Sequence, residues 1–211
     1  AHHFPYQPWC PKCVASKGRM RRHPARKEKD QDEVPEVSWD FNTYMDGMLT
    51  TINGKDRQTG SAISFAVPTE SDNPWVSKKI HEELKLLGRT TTTLLKTDQE
   101  PGLEAIFDQV QALRSKEHMP TLREQSRPHE HQTNGVAESI NHQVARHATL
   151  ILSELEDRVH ADLQRDRNYL LWLSEYSAMV KNRFDRKDGH TPYFRVHGKE
   201  CHEKCYEFCE K

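Results

Sequence analysis

The sequence predicts an α/β domain, a mixed β-sheet layered with helices, preceded by a small Cys- and His-bearing leader. Three observations lead there. A period-two segment beginning near residue 37 opens the body of the chain, as a strand with one buried face does. Between residues 61 and 125, segments of helical period alternate with short strand-like runs, the order that layers helices on a sheet. The periodic part then closes with two amphipathic stretches, one starting near 134–136 and one over about 166–184.

Each element has its own signal. In VSWDFNTYM, Val37, Trp39, Phe41 and Met45 alternate with Asp40, Asn42 and Tyr44, so this strand has an apolar face and carries Asp40 on the opposite one. NGKDRQTG (53–60) has the composition of a turn between strands. SAISFAV (61–67) reads as a strand partly buried on both faces. Over 72–88, Val76, Ile80, Leu84 and Leu87 share a helical stripe, with Asp72 as N-cap, Pro74 in the first turn and Gly88 as the stop. TTTLLKT (91–97) is a short strand running directly into Asp98. A second helix has Pro101 near its start and Leu103, Ile106, Phe107, Val110 and Leu113 on one face. Residues 119–125 read as a short strand and 126–135 (SRPHEHQTNG) as a polar loop. The next helix gathers Val136, Ile140 and Val144, and the last gathers Leu170, Leu171, Leu173, Tyr176, Val180 and Phe184. The tail from Gly189 reads as loop.

Composition bounds the function classes. The 211 residues, 34% hydrophobic and 30% charged, hold enough apolar material for one core and a small module. Lys and Arg (31) nearly balance Asp and Glu (32), so nucleic-acid binding would have to use a local patch rather than a uniformly basic surface. No apolar run approaches the roughly 18–20 residues of a membrane span. The first residues are His-rich and aromatic rather than a signal-peptide core, and Ala1 in place of an initiator Met fits a fragment of a longer precursor. The basic run from Lys12 to Lys29, broken only by Glu28, reads either as a solvated linker or as a phosphate-contacting segment.

The five cysteines lie at the two ends: Cys10 and Cys13, then Cys201, Cys205 and Cys209. An odd number split this way suits a reducing compartment and a metal site better than a disulfide framework. Cys10-x₂-Cys13 puts two thiolates on one turn, and His3 and His23 flank it as candidate partners for Zn²⁺. The i, i+4, i+8 spacing of the C-terminal cysteines would place three thiols on one helical face.

Three carboxylates stand at element ends or on a polar strand face: Asp40 within the first strand, Asp98 just after a strand, and Glu138 in the first turn of a helix that follows a loop. Acids far apart in sequence can converge at the carboxyl edge of a sheet in this way. Oxygen donors without a paired base suit a hard divalent cation. Two such ions, about 3.5–4 Å apart, can clamp the attacking and leaving oxygens of a phosphodiester. Asp46, on the same strand face as Asp40, is the rival for the first position, but it falls at the strand's end.

The words around these acids, WDFNTYM, LLKTDQEPGLEAI, SRPHEHQTNGVAESINHQV and GHTPYFRVHGK, resemble the integrase of copia-type retrotransposon polyproteins, a branch of the DDE integrases. The resemblance runs from the leader to about Gly198. It implies an RNase H-like mixed five-stranded sheet flanked by helices. It matches Asp40, Asp98 and Glu138 to the metal-holding catalytic triad, with two Mg²⁺ or Mn²⁺ ions, and it implies end processing and strand transfer of element DNA into target DNA. It further implies a zinc-binding leader over 1–29, a catalytic core over 34–186 and a C-terminal extension over 187–211. The loop before Glu138 would approach DNA, making Arg127, Asn134 and Gly135 candidate contacts, and the helix after Glu138 offers His142 and Arg146 where relatives carry a DNA-contacting lysine that this chain lacks. Action as a homo-oligomer on two DNA ends, in the nucleus, follows from the same resemblance. Two other readings stay open on the residues alone: a decayed remnant that only binds nucleic acid, and an RNase H-like nuclease without joining activity.

Overall fold

A computed structural model describes residues 7–16, 34–44, 47, 49–68, 73–125, 135–163 and 167–209. In chain order the elements are α1 (Pro11–Ser16), β1 (Glu36–Tyr44), β2 (Leu49–Asp56), β3 (Ala62–Ala66), α2 (Pro74–Leu86), β4 (Thr93–Thr97), α3 (Pro101–Lys116), β5 (Thr121–Gln125), α4 (Gly135–Val159), α5 (Arg167–Phe184) and α6 (Pro192–His197). The five strands form one sheet in the order β3-β2-β1-β4-β5. β1, β2 and β3 are joined antiparallel, whereas β4 lies parallel to both β1 and β5. The molecule is therefore α/β with a mixed five-stranded sheet flanked by helices.

The two sheet faces are covered differently. Alternation along β1 sends Val37, Trp39 and Phe41 to one side, where they join Ile52, Phe65 and Leu95 beneath the apolar stripes of α2 and α3. Trp39 is fully buried, and its ring lies 5.5 Å from that of Phe107 on α3. Its cross-strand partner is Gly54, where an added Cβ would stand 2.6 Å from Trp39 Cζ3. That close approach explains a glycine inside β2. It also corrects the expectation for 53–60: Asn53 to Asp56 continue the strand, and the turn is confined to 57–59.

The opposite face turns Ser38, Asp40, Thr51 and Asn53 toward α4 and α5. Ser38, Thr51 and Asn53 are completely buried there, so the polar side of β1 is not a solvent side. Apolar contacts close this layer around Leu49, Ala148, Leu152 and Leu173, and around Ala62, Ile140, Val144 and Ala178.

Several expected boundaries move. The α2 cap is Asn73, whose side chain accepts from Trp75 N at 3.0 Å; Asp72, the expected cap, lies outside the described residues. Both residue types can cap, and Pro74 at the first helical position makes its immediate predecessor the cap. Leu171 is exposed rather than part of the α5 stripe. The tail is not all loop: Thr191 caps α6 by accepting from Phe194 N at 3.0 Å, and Gly198 ends it in the left-handed region. The chain then returns to the body. Phe208 is buried with Leu155 and Leu173, and Tyr176 donates its hydroxyl proton to Tyr206 O at 2.6 Å. No helix among the described residues is long and apolar enough to cross a membrane.

Candidate active site

β1 and β4 run parallel with Ser38 opposite Lys96. Two residues further along each chain, that register leads to Asp40 and Asp98. Parallel pairing thus brings two acids that are 58 positions apart (98 − 40) to neighbouring places at the carboxyl end of β4. The electrostatics agree. Asp40 is pushed up to about 7, chiefly by burial, then by the negative charges of Asp98 and Glu100. Hydrogen bonds from the Asn141 side chain and the Phe41 main-chain N–H work in the other direction.

The third acid stands on a different layer. Glu138 lies in the first turn of α4 and is exposed. Three residues on, Asn141 occupies the same helical stripe. Its amide donates to Asp40 Oδ2 at 2.8 Å and to Phe41 O at 3.2 Å. Its own carbonyl accepts from Asn53 Nδ2 at 2.7 Å, and Asn53 also donates to Thr51 Oγ1 at 3.2 Å. Asp40 and Asn53 are direct cross-strand partners. A buried chain of amides thus fixes the Asp40 carboxylate and docks the first turns of α4 beside it, with Glu138 one turn nearer the helix start.

No lysine or arginine forms an ion pair with Asp40, Asp98 or Glu138 among the described residues. Lys96, the nearest basic residue in sequence to Asp98, pairs instead with Glu124 at 2.8 Å. Among the described residues Asp40 and Asp98 stand side by side without an ion-pair partner, and Asp40 is half-buried. Their oxygen-only chemistry fits a divalent cation. Among the described residues, no group of three or more His, Cys, Asp or Glu side chains is gathered tightly enough to hold an ion. Asp40 and Asp98 are the pair the sheet brings together, and Glu138 is on the adjoining turn.

Sequence reasoning placed the acids but not the groups that set their state. Glu100 lies within the TDQEP word, two residues beyond Asp98 and next to Pro101, and acts on Asp40 from the α3 N-cap position. Asn141 carries no sequence signal beyond its spacing from Glu138. Of the candidate DNA contacts, Gly135 begins α4 and is exposed, as is His142. Arg146 lies where its charge acts on Cys13. Arg127, Asn134 and the rival acid Asp46 lie outside the described residues.

In the leader, Cys10 immediately precedes α1 and Cys13 lies within it. Their thiols hydrogen-bond to each other. Main-chain hydrogen bonding at Cys13 lowers Cys10 from its ordinary range, and burial raises Cys13. Two adjacent thiols on one turn are the sulfur half of a tetrahedral zinc set; His3 and His23 lie outside the described residues. α1 is fastened to α4, where Lys12 Nζ donates to Ser153 O at 3.0 Å and pairs with Asp157. Cys201, Cys205 and Cys209 are free thiols in a segment without helix, so the expected common helical face is absent. Glu200, Glu203 and Glu207 in the same segment pair with Arg186 just after α5, Arg183 on α5 and Arg158 on α4, which ties that segment to the body.

No protein-family model and no curated protein matches the chain.

Proposed function

We propose that the chain is the RNase H-like catalytic core of a copia-type retroelement integrase, acting on DNA by metal-dependent polynucleotidyl transfer. The observation that carries this reading is the nearness of Asp40 and Asp98 beyond the parallel β1–β4 pairing, neither with an ion-pair partner among the described residues, and with Glu138 on the helix whose Asn141 holds Asp40. The strand order, with an antiparallel β1–β3 unit extended by parallel β4 and β5, supports the RNase H-like assignment.

Asp40, Asp98 and Glu138 would hold two Mg²⁺ or Mn²⁺ ions, which supply charge neutralisation for phosphodiester attack. The chain's own contribution is positioning. Asn141 fixes the Oδ2 of Asp40. Burial and the neighbouring charges of Asp98 and Glu100 make the ionised form of Asp40 costly without a cation beside it. Gly135 and His142 stand on either side of Glu138 on α4, where DNA would approach, and Arg127, Asn134 and Arg146 are the further proposed contacts. Cys10 and Cys13, with His3 and His23, are proposed to hold Zn²⁺ in the leader. The reading carries with it a homo-oligomer on paired DNA ends and action in the nucleus.

The test is a labelled duplex bearing the element's terminal sequence, incubated with the protein and Mn²⁺ or Mg²⁺. Wild type is expected to nick the end and join it to target DNA. Asp98→Asn is expected to lose several kcal/mol of transition-state stabilisation, about 10²–10⁴-fold in rate. Unchanged nicking and joining by Asp98→Asn would refute the assigned site. Duplex binding with a steep salt dependence but no cleavage by wild type would favour the binding remnant. Nicking without joining would favour the nuclease.

A further inference from the structure

A second charge imbalance lies on the polar face of the sheet, toward the other end of β2. Lys55 pairs with Ser38 on one side and Ala62 on the other. It shares its face with Asn53, under α5. There Asn182 bonds Ala62 through both main-chain groups, accepting from its N–H and donating to its carbonyl, each at 2.7 Å. That clasp brings the C-terminal turn of α5 and the residues after it over Lys55. The charges acting on Lys55 are Lys181, Asp185 and Lys187. Asp185 is the ion-pair partner of Lys181, itself buried. Lys55 is partly buried, and neither its ammonium nor that of Lys187 has an ion-pair partner among the described residues. Among the described residues, Lys55 and Lys187 therefore stand beside the Lys181–Asp185 pair without an ion-pair partner of their own. The neighbouring arginines do not change this balance, because Arg183, Arg186 and Arg195 are matched by Glu203, Glu200 and Asp188.

We infer that Lys55, Lys181 and Lys187 form an oxyanion site that takes a phosphate group, either as a free phosphate ester or as the backbone of a nucleic acid. A phosphate presents several acceptor oxygens and enough charge to offset two unmatched ammonium groups. Left alone, Lys55 bears the cost of its position: burial, then Lys181, brings it down to about 8. The site is separate from the acids at Asp40 and Asp98, and its chemistry is opposite in sign.

Calorimetric titration of the full chain with inorganic phosphate at pH 7, ionic strength held constant with chloride, tests the proposal. Saturable binding is expected, about tenfold weaker in Lys55→Met. That variant keeps the length of the side chain and removes an uncompensated charge, so it is expected to fold. The exposed Lys187→Ala provides a second variant, with a loss of a few-fold. Asp98→Asn should bind phosphate as wild type does, which separates this site from the proposed catalytic one. Absence of saturable binding into tens of millimolar, or affinity unchanged in Lys55→Met and Lys187→Ala alike, overturns the proposal. A DNA duplex that displaces phosphate, and is itself bound more weakly by Lys55→Met, identifies the backbone as the source. A duplex that leaves bound phosphate in place identifies a free ester.

Discussion

The two faces of this sheet are both buried, yet they do opposite things. Toward α2 and α3, β1 presents Val37, Trp39 and Phe41 to a continuous apolar layer. Toward α4 and α5, the same strand presents Ser38 and Asp40, and its neighbour adds Asn53 and Lys55. On the first face, stability comes from area removed from water and from shape. On the second, polar groups are covered and must find partners, and some charges lack one. Among the described residues, neither Asp40 nor Lys55 has an ion-pair partner. In the readings proposed above, a ligand rather than the protein completes each of them.

Substitutions on the two faces should therefore fail in different ways. The largest loss of stability is expected from Trp39→Ala, about 3–5 kcal/mol by denaturant unfolding, because the cavity would lie between β2 and Phe107.

On the polar face, Asp40→Asn should act in the other direction. The native pKa of Asp40 is raised to about 7, so the folded protein holds a proton that the unfolded chain has released. Its contribution to stability is complete below about pH 4 and is lost as pH rises through 7. In metal-free protein, Asp40→Asn should thus be more stable than wild type at pH 8, by on the order of 2 kcal/mol, and nearly equal to it at pH 4. An equal effect at both pH values would mean that Asp40 is not ionising against the fold.

Gly54→Ala sharpens the contrast. Its Cβ would meet the Trp39 ring, and overpacking should cost about 1–3 kcal/mol without altering divalent-ion binding. Asn141→Ala should cost about 1–2 kcal/mol and weaken ion binding as well, because it removes a donor from Asp40 and the acceptor of Asn53. If ion affinity were unchanged, the amide chain would be structural only.

The apolar face was largely legible in the sequence. Alternation in β1 and the stripes of α2 and α3 declare themselves because most buried positions there are apolar and each period is regular. The polar face was half legible. Asp98 and Glu138 were legible as acids at element ends and Asp40 as an acid on a polar strand face, but Asn141 and Asn53 were not, since an asparagine on a helix or in an NG pair reads as surface or turn. β2 was obscured for the same reason: Asn53 and Gly54 look like turn residues, yet one receives Asn141 and the other the Trp39 ring. Arg114 was equally hidden. Fully buried, it donates to Arg89 O at 2.7 Å and Thr121 Oγ1 at 2.7 Å, tying α3 to the start of β5 and the loop before β4. α6 is too short for periodicity to reveal; only its Thr-Pro start and Gly198 end could have marked it.

The central claim is that the polar face gathers acids for a divalent cation. It is tested most directly by Mn²⁺ binding to the full chain, followed by electron paramagnetic resonance of free and bound ion. Saturable binding by wild type, abolished in Asp40→Asn and Asp98→Asn, weakened in Glu138→Gln and retained in Lys55→Met, is the expected result. Wild-type protein that binds no Mn²⁺ at millimolar concentration, or an Asp98→Asn variant that binds it undiminished, would contradict the account.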